Sequence, residues 1–180
     1  MGFPSIADLN ALSAEEFADE VAPLFEGARG FLERLADARP FESDHAFLVA
    51  ARELARTMPE ADQIELLNAH ARLGADPAGV SAASFDEQGY DSSEEEEDAQ
   101  PGALLEELAI LNDVYEGRFG FRYVVFVAGR PLTSMGPLIE AAMRNDRAAE
   151  LARGLDDVID IAADRLGRLR GDYLDREEGS

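Results

Sequence analysis

Residues Arg118–Arg130 read RFGFRYVVFVAGR. Within them Tyr123, Val124, Val125, Phe126 and Val127 form an unbroken apolar and aromatic run, three of the five β-branched. It is the one stretch of the chain with the character of a buried strand. Almost everything else reads as helix. A lone strand has no sheet to join, yet buried backbone N–H and C=O groups need partners. The fold must therefore hold one extended segment, about 121–128, inside a helical frame.

The helices announce themselves by caps and spacing. SAEEFADEVAPLF places Ser13 at an N-cap and Glu16 three residues on, a capping box, followed by Phe17, Val21 and Leu24 at helical spacing. A second helix carries Phe31 and Leu35 and stops before Pro40. A third begins at Ser43 or Asp44. A fourth has Pro59 in its first turn and ends near Gly74. Leu104, Leu108, Leu111 and Tyr115 mark a long helix, TSMGPLIEAAMRN another, and Asp146 can cap the last. There Leu151, Leu155, Val158, Ala162, Leu166 and Leu169 make a core-facing stripe. These elements predict an all-α chain with one helical domain over 1–172, an acidic loop at 91–100, and a frayed polar tail at 173–180. With 180 residues, the chain is long enough for a sizeable core.

Charge narrows the partners. The formal net charge is −22, and every basic residue is arginine, because the chain has no lysine. Such a surface repels phosphate, which argues against nucleic acid. An Asp/Glu surface without lysine fits a salt-rich cytoplasm, where molar salt screens self-repulsion, with an ordinary acidic protein from a GC-rich genome as the alternative. No apolar run reaches the roughly 20 residues of a membrane span, and no secretory signal is visible at the N-terminus. The absence of cysteine excludes disulfides and thiolate chemistry and fits a cytoplasmic location.

Candidate chemistry is sparse. Of the two histidines, His45 sits in a first helical turn and reads as a surface residue. His70 lies near a helix C-terminus before a loop rich in turn formers. The negative end of the helix dipole there favours a protonated imidazole, suited to general acid work. Downstream, SFDEQG offers the Ser84 hydroxyl, the Glu87 carboxylate and the Gln88 amide within one turn. Ser84 and Glu87 also have the spacing of a simple capping box. Glu94–Asp98 is a solvated acidic run without the ligand spacing of a calcium loop. No phosphate loop, nucleophile elbow or paired-histidine metal motif occurs.

The order of these pieces resembles one family, the decarboxylases of 2-oxo-4-hydroxy-4-carboxy-5-ureidoimidazoline (OHCU) in urate degradation. LNALSAEEF matches the family's opening helix, and HARLG from His70 its HP-x-[IL]-G motif. Ser84, Glu87 and Gln88 match S-x-x-E-Q, LNDVYEGRFGFRYVV matches LN-x-x-Y-x-x-[KR]-FGF-x-[FY]-V, and ELARGLDDVIDIAADRL matches the closing helix. Ala71 stands where the motif has proline, and Arg122 where FGF is usually followed by proline. The acidic run looks like an insertion.

The resemblance implies a cofactor-free, all-α carboxy-lyase, usually a homodimer, with no metal. It implies that His70 is the catalytic acid, delivering a proton to C4 on one face, with Glu87 beside it. Ala71, Ser84, Phe85, Asp86, Gln88 and the segment Tyr123, Val124, Val125, Phe126 and Val127 would contact the substrate, the last through main-chain groups. Two other readings stay open: a non-catalytic scaffold that retains the fold, and a decarboxylase of a related ureide.

Overall fold

The computed structural model describes residues 3–75, 81 and 101–178. Ser84, Phe85, Asp86, Glu87, Gln88 and the acidic loop lie outside the described residues. Among the described residues the fold is all-α.

The chain opens with a helix that the sequence reading did not anticipate, α1 (Ile6–Ala11), started by a capping box between Ser5 and Asp8. The expected box follows at α2 (Ala14–Val21). The Glu16 N–H donates to Ser13 Oγ at 3.2 Å, and the Ser13 N–H donates to Glu16 Oε2 at 3.0 Å. Pro23 tightens the next turn into a 3₁₀ segment, Ala22–Leu24. Glu26 and Gly27, at φ 52° and 74°, then reverse the chain into α3 (Arg29–Asp37). Ser43 caps α4 (Asp44–Thr57) by accepting from the Ala46 N–H at 3.1 Å.

Pro59 is the N-cap of α5 (Glu60–Ala69) rather than a first-turn residue. This helix ends at Ala69, not near Gly74: His70 already has an extended ψ of 148°. The reason is tertiary. The Asn112 side chain donates to the Leu73 carbonyl at 2.9 Å, and the Arg72 guanidinium pairs with Glu116 at 2.6 Å. Both partners sit on α6 (Pro101–Phe119), and they hold the HARLG stretch off the helical path. Gly74, at φ 72°, closes the turn in a conformation that favours glycine.

Gly120, at φ 81°, ends α6 and releases the extended segment. A 3₁₀ turn (Leu132–Ser134) and α7 (Met135–Ala142) follow. Asp146 caps α8 (Arg147–Glu178) as expected, accepting from the Ala149 N–H at 2.8 Å. The backbone of α8 stays helical beyond 172, up to Glu178. Its stripe of Leu151, Leu155, Val158, Ala162 and Leu166 is buried, and α8 packs along α4 and α5 as the central element. A Cβ on Gly154 would come within 3.1 Å of Leu67, which shows how closely α8 approaches α5.

Candidate active site

The extended segment solves its main-chain problem with side chains from helices and a turn. The Arg122 N–H donates to Asn68 Oδ1 at 2.9 Å. The Val124 carbonyl accepts from Arg153 Nη1 at 2.9 Å. Arg130 takes two carbonyls, that of Phe126 at 2.6 Å and that of Val127 at 2.9 Å. Arginine forks thus stand in for a neighbouring strand. The main-chain groups of Val125 carry no hydrogen bond among the described residues. A turn at Ala128 and Gly129, φ 52° and 72°, ends the segment.

Behind the segment is a buried polar cluster. Glu150, with no exposed surface, accepts from the Tyr115 hydroxyl at 2.6 Å, from Asn145 at 2.8 Å and from Arg153 Nε at 3.0 Å. Burial alone would raise its pKa, but these donors and the Arg153 charge outweigh burial, and the pKa is lowered. The Arg153 guanidinium also lies 4.8 Å above the Tyr123 ring. Burial pushes the Tyr123 hydroxyl up to about 12. The cluster ties α6, α8 and the segment into one unit.

In front of the segment is a cavity. It is lined by residues 123–129 together with His70, Ala71, Leu73, Ile161 and Arg168. His70 is brought there by the early end of α5, and only 3% of its surface is exposed. Its Nδ1 lies 3.1 Å from the Leu66 carbonyl, which can only accept, so Nδ1 carries the proton. Nε2 is buried and has no partner among the described residues.

These contacts overturn the expected protonation state. Burial pushes the His70 pKa down to about 4, aided by the Arg165 and Arg122 charges and opposed by the Leu66 bond and by Glu26. The helix dipole, worth about 1 kcal/mol at such a site, is smaller than the desolvation of an imidazolium. The resting imidazole is therefore neutral at pH 7, with an Nε2 lone pair that no described residue engages.

Of the expected site residues, the structure gathers His70, Ala71, Tyr123, Val124, Val125, Phe126 and Val127 around one cavity. Ser84, Phe85, Asp86, Glu87 and Gln88, expected at the same site, lie outside the described residues. His45 is exposed on α4 and does not line the cavity. Arg165 was not singled out in the sequence. It is 4% exposed and donates to the Pro23 carbonyl at 2.8 Å and to Glu26 at 2.7 Å. Its position, three residues after Ala162 on the apolar stripe, is the signal that could have found it: a cation on a core face needs a reason. Among the described residues no three metal-ligating side chains cluster, and no helix is long and apolar enough to cross a membrane.

Comparison with known proteins agrees with this architecture. A protein of Halalkalicoccus jeotgali named 2-oxo-4-hydroxy-4-carboxy-5-ureidoimidazoline decarboxylase is 28% identical over 165 residues, covering 92% of this chain and 91% of that protein. A "uric acid degradation bifunctional protein" of Bacillus sp. strain TB-90 is 27% identical over 165 residues, which are 89% of this chain and 31% of that protein. A crystal structure of OHCU decarboxylase in the presence of (S)-allantoin superposes with a TM-score of 0.65 at 23% identity, over 84% of this chain and 96% of that one, which establishes a shared fold. The sequence profile of the OHCU decarboxylases matches residues 10–167, most of the chain, and the protein belongs to the OHCU decarboxylase family.

Proposed function

We propose that this protein decarboxylates OHCU to (S)-allantoin in urate degradation, without a cofactor or metal. The observation that carries the reading is His70: a buried, neutral imidazole whose Nε2 has no partner among the described residues, lining a cavity bounded by the extended segment, in a member of this family.

The substrate supplies its own electron sink. When the bond from C4 to the carboxylate breaks, the electron pair forms a C4=C5 double bond. The π pair of the C5=N1 imine moves onto N1, which takes one proton from solvent. The 4-hydroxyl then loses its proton to give a C4 ketone, and C5 gains one. The proton therefore ends on C5, the carbon that bears the ureido group and becomes the stereocentre, rather than on C4. No Schiff base is required, and the chain has no lysine to form one.

His70 suits both halves of that transfer. Its neutral Nε2 accepts the hydroxyl proton, and the resulting imidazolium delivers it to one face of C5. The burial that lowers the His70 pKa to about 4 makes this imidazolium a strong acid. The free Val125 main-chain groups offer partners for the planar, polar substrate. Glu87 is assigned to the catalytic pair. Ser84, Phe85, Asp86 and Gln88 are assigned, with Ala71, to the ureido and ring groups. The homodimeric state belongs to the same reading, and sedimentation should return twice the 19.5 kDa chain mass.

The test is a coupled assay. Urate oxidase and hydroxyisourate hydrolase generate OHCU, and circular dichroism follows the (S)-allantoin formed. The expected result is acceleration over spontaneous decay, lost by roughly 10²–10⁴-fold in His70→Gln. No acceleration by the unmodified protein would favour a non-catalytic scaffold.

A further inference from the structure

Arg122 is the residue of the extended segment that reaches back to the helix carrying His70. Its Nη1 donates to the His70 carbonyl at 2.6 Å, and its own N–H donates to Asn68 Oδ1 at 2.9 Å. The His70 carbonyl, at the C-cap of α5, is one of those that lack an intrahelical donor, and Asn68 lies in the last turn of the same helix. The two bonds pin the last turn of α5 to the start of the segment, so the two walls of the cavity are tied at one residue. A proline at position 122 could make neither bond, since it has no N–H and no guanidinium. Ala71, directly after His70, also lacks the rigid φ that a proline would impose there. His70 is therefore held from outside its own backbone.

We propose that Arg122 is a positioning residue for His70: its clamp on the His70 carbonyl and on Asn68 fixes the imidazole relative to the extended segment. The inference rests on the role assigned to His70 above. The clamp also places a cation near the ring. Among the described residues, the charged groups acting most on His70 are Arg165 from α8, Glu26 from the turn before α3, and Arg122 from the segment, and Arg168 shares the cavity. Arg165 and Arg122 oppose protonation, and Glu26 favours it. Removing Arg122 takes away a cation and loosens the burial of the ring, and both effects favour the imidazolium.

The chain holds two histidines, one buried and one exposed, so the His70 imidazole can be followed by itself in an NMR titration. In Arg122→Ala the His70 midpoint should rise by roughly 0.5 to 1 pH unit. The value of kcat for OHCU should fall roughly 10-fold with KM changed less, because a displaced group is felt mainly in the transition state. Both variants keep the main-chain N–H that Asn68 accepts, and Arg122→Lys also keeps the charge and an ammonium donor for the His70 carbonyl, so its midpoint and rate should lie between those of the wild type and Arg122→Ala. A folded Arg122→Ala protein with the wild-type His70 midpoint would overturn the proposal, whatever its rate. Arg122→Lys no closer to wild type than Arg122→Ala would also overturn it. If the unmodified protein does not turn over OHCU, the catalytic reading falls, and the titration alone decides whether Arg122 positions His70.

Discussion

Two arginine–carboxylate clusters anchored on α8 differ chiefly in burial. On the α4 side, Arg52 and Arg56 reach Asp156 at 3.1 and 2.6 Å, and Arg52 also pairs with Asp160. All four side chains are about a third to a half exposed. One to two turns earlier, Arg153 and Glu150 meet at 2.9 Å with Glu150 fully buried. The same chemistry has different consequences. The exposed ladder trades solvation for contact at little net gain, because water and salt screen it. In the buried cluster, the loss of Arg153 leaves the Glu150 carboxylate in a medium that solvates it poorly, while Arg153, at 29% exposure, also pairs with Asp157 at 2.7 Å. Glu150 also holds Arg153 and Tyr115 in place, and Arg153 in turn supplies the Val124 carbonyl. The exposed cluster decorates a helix contact. The buried one sets the shape of the cavity wall.

Removing the buried carboxylate is the most severe way to break this comparison. Glu150→Ala should destabilise the fold by about 3 kcal/mol, since it leaves the buried Tyr115 hydroxyl unpaired and takes one of the two carboxylates of Arg153, Asp157 remaining at 2.7 Å. Urea titration measures this directly. A loss below 1 kcal/mol would mean that the buried cluster behaves like a surface pair.

Acid acts on a second buried group. His70 has a folded pKa of about 4, below the ordinary value near 6.5. Between those values the unfolded chain binds the proton and the folded one does not. Stability therefore falls as pH drops through this window, by about 3 kcal/mol in all, with no contribution from His70 above it. Glu150 and Asp156, both held below the ordinary carboxylate range, add their losses at lower pH. His70→Gln removes the histidine contribution alone. Unfolding free energies at pH 7.5 and 4.5 should therefore differ less in that variant than in the wild type. Equal differences would show that the native imidazole titrates freely.

The smallest effect belongs to the exposed ladder. Asp156→Asn should cost about 0.5 kcal/mol at low salt and less in molar KCl. The whole molecule should move the other way. With a net charge of −22, its melting temperature should rise as the screening length shrinks from about 10 Å at 0.1 M salt to about 3 Å at 1 M. Thermal melts of both proteins across a KCl series check the two directions together. A wild-type melting temperature independent of salt from about 0.1 to 2 M would remove self-repulsion from the account.

By itself, the sequence determined what depends on near neighbours. The Ser13–Glu16 box, the Asp146 cap and the α8 stripe involve residues within a few positions of each other, so caps and periodicity exposed them. The all-α class followed, and so did the extended character of 121–128. The motif that contains His70 was legible because it is contiguous. The same logic covers α1, whose Ser5–Asp8 box has the right spacing but introduces only a six-residue helix. Only the tertiary structure decided where α5 stops, since Asn112 and Glu116 lie some forty positions from the residues they hold. It alone decided that His70 is neutral, because desolvation is a property of everything packed around the ring and outweighs a local dipole. It also decided how a lone extended segment is satisfied. Arg153 lies 29 positions from the carbonyl it caps, and Asn68 lies 54 positions from the N–H it accepts. A chain reveals at short range what each residue prefers. Which distant side chain meets a buried main-chain group depends on how the helices pack, and that becomes visible only once they have.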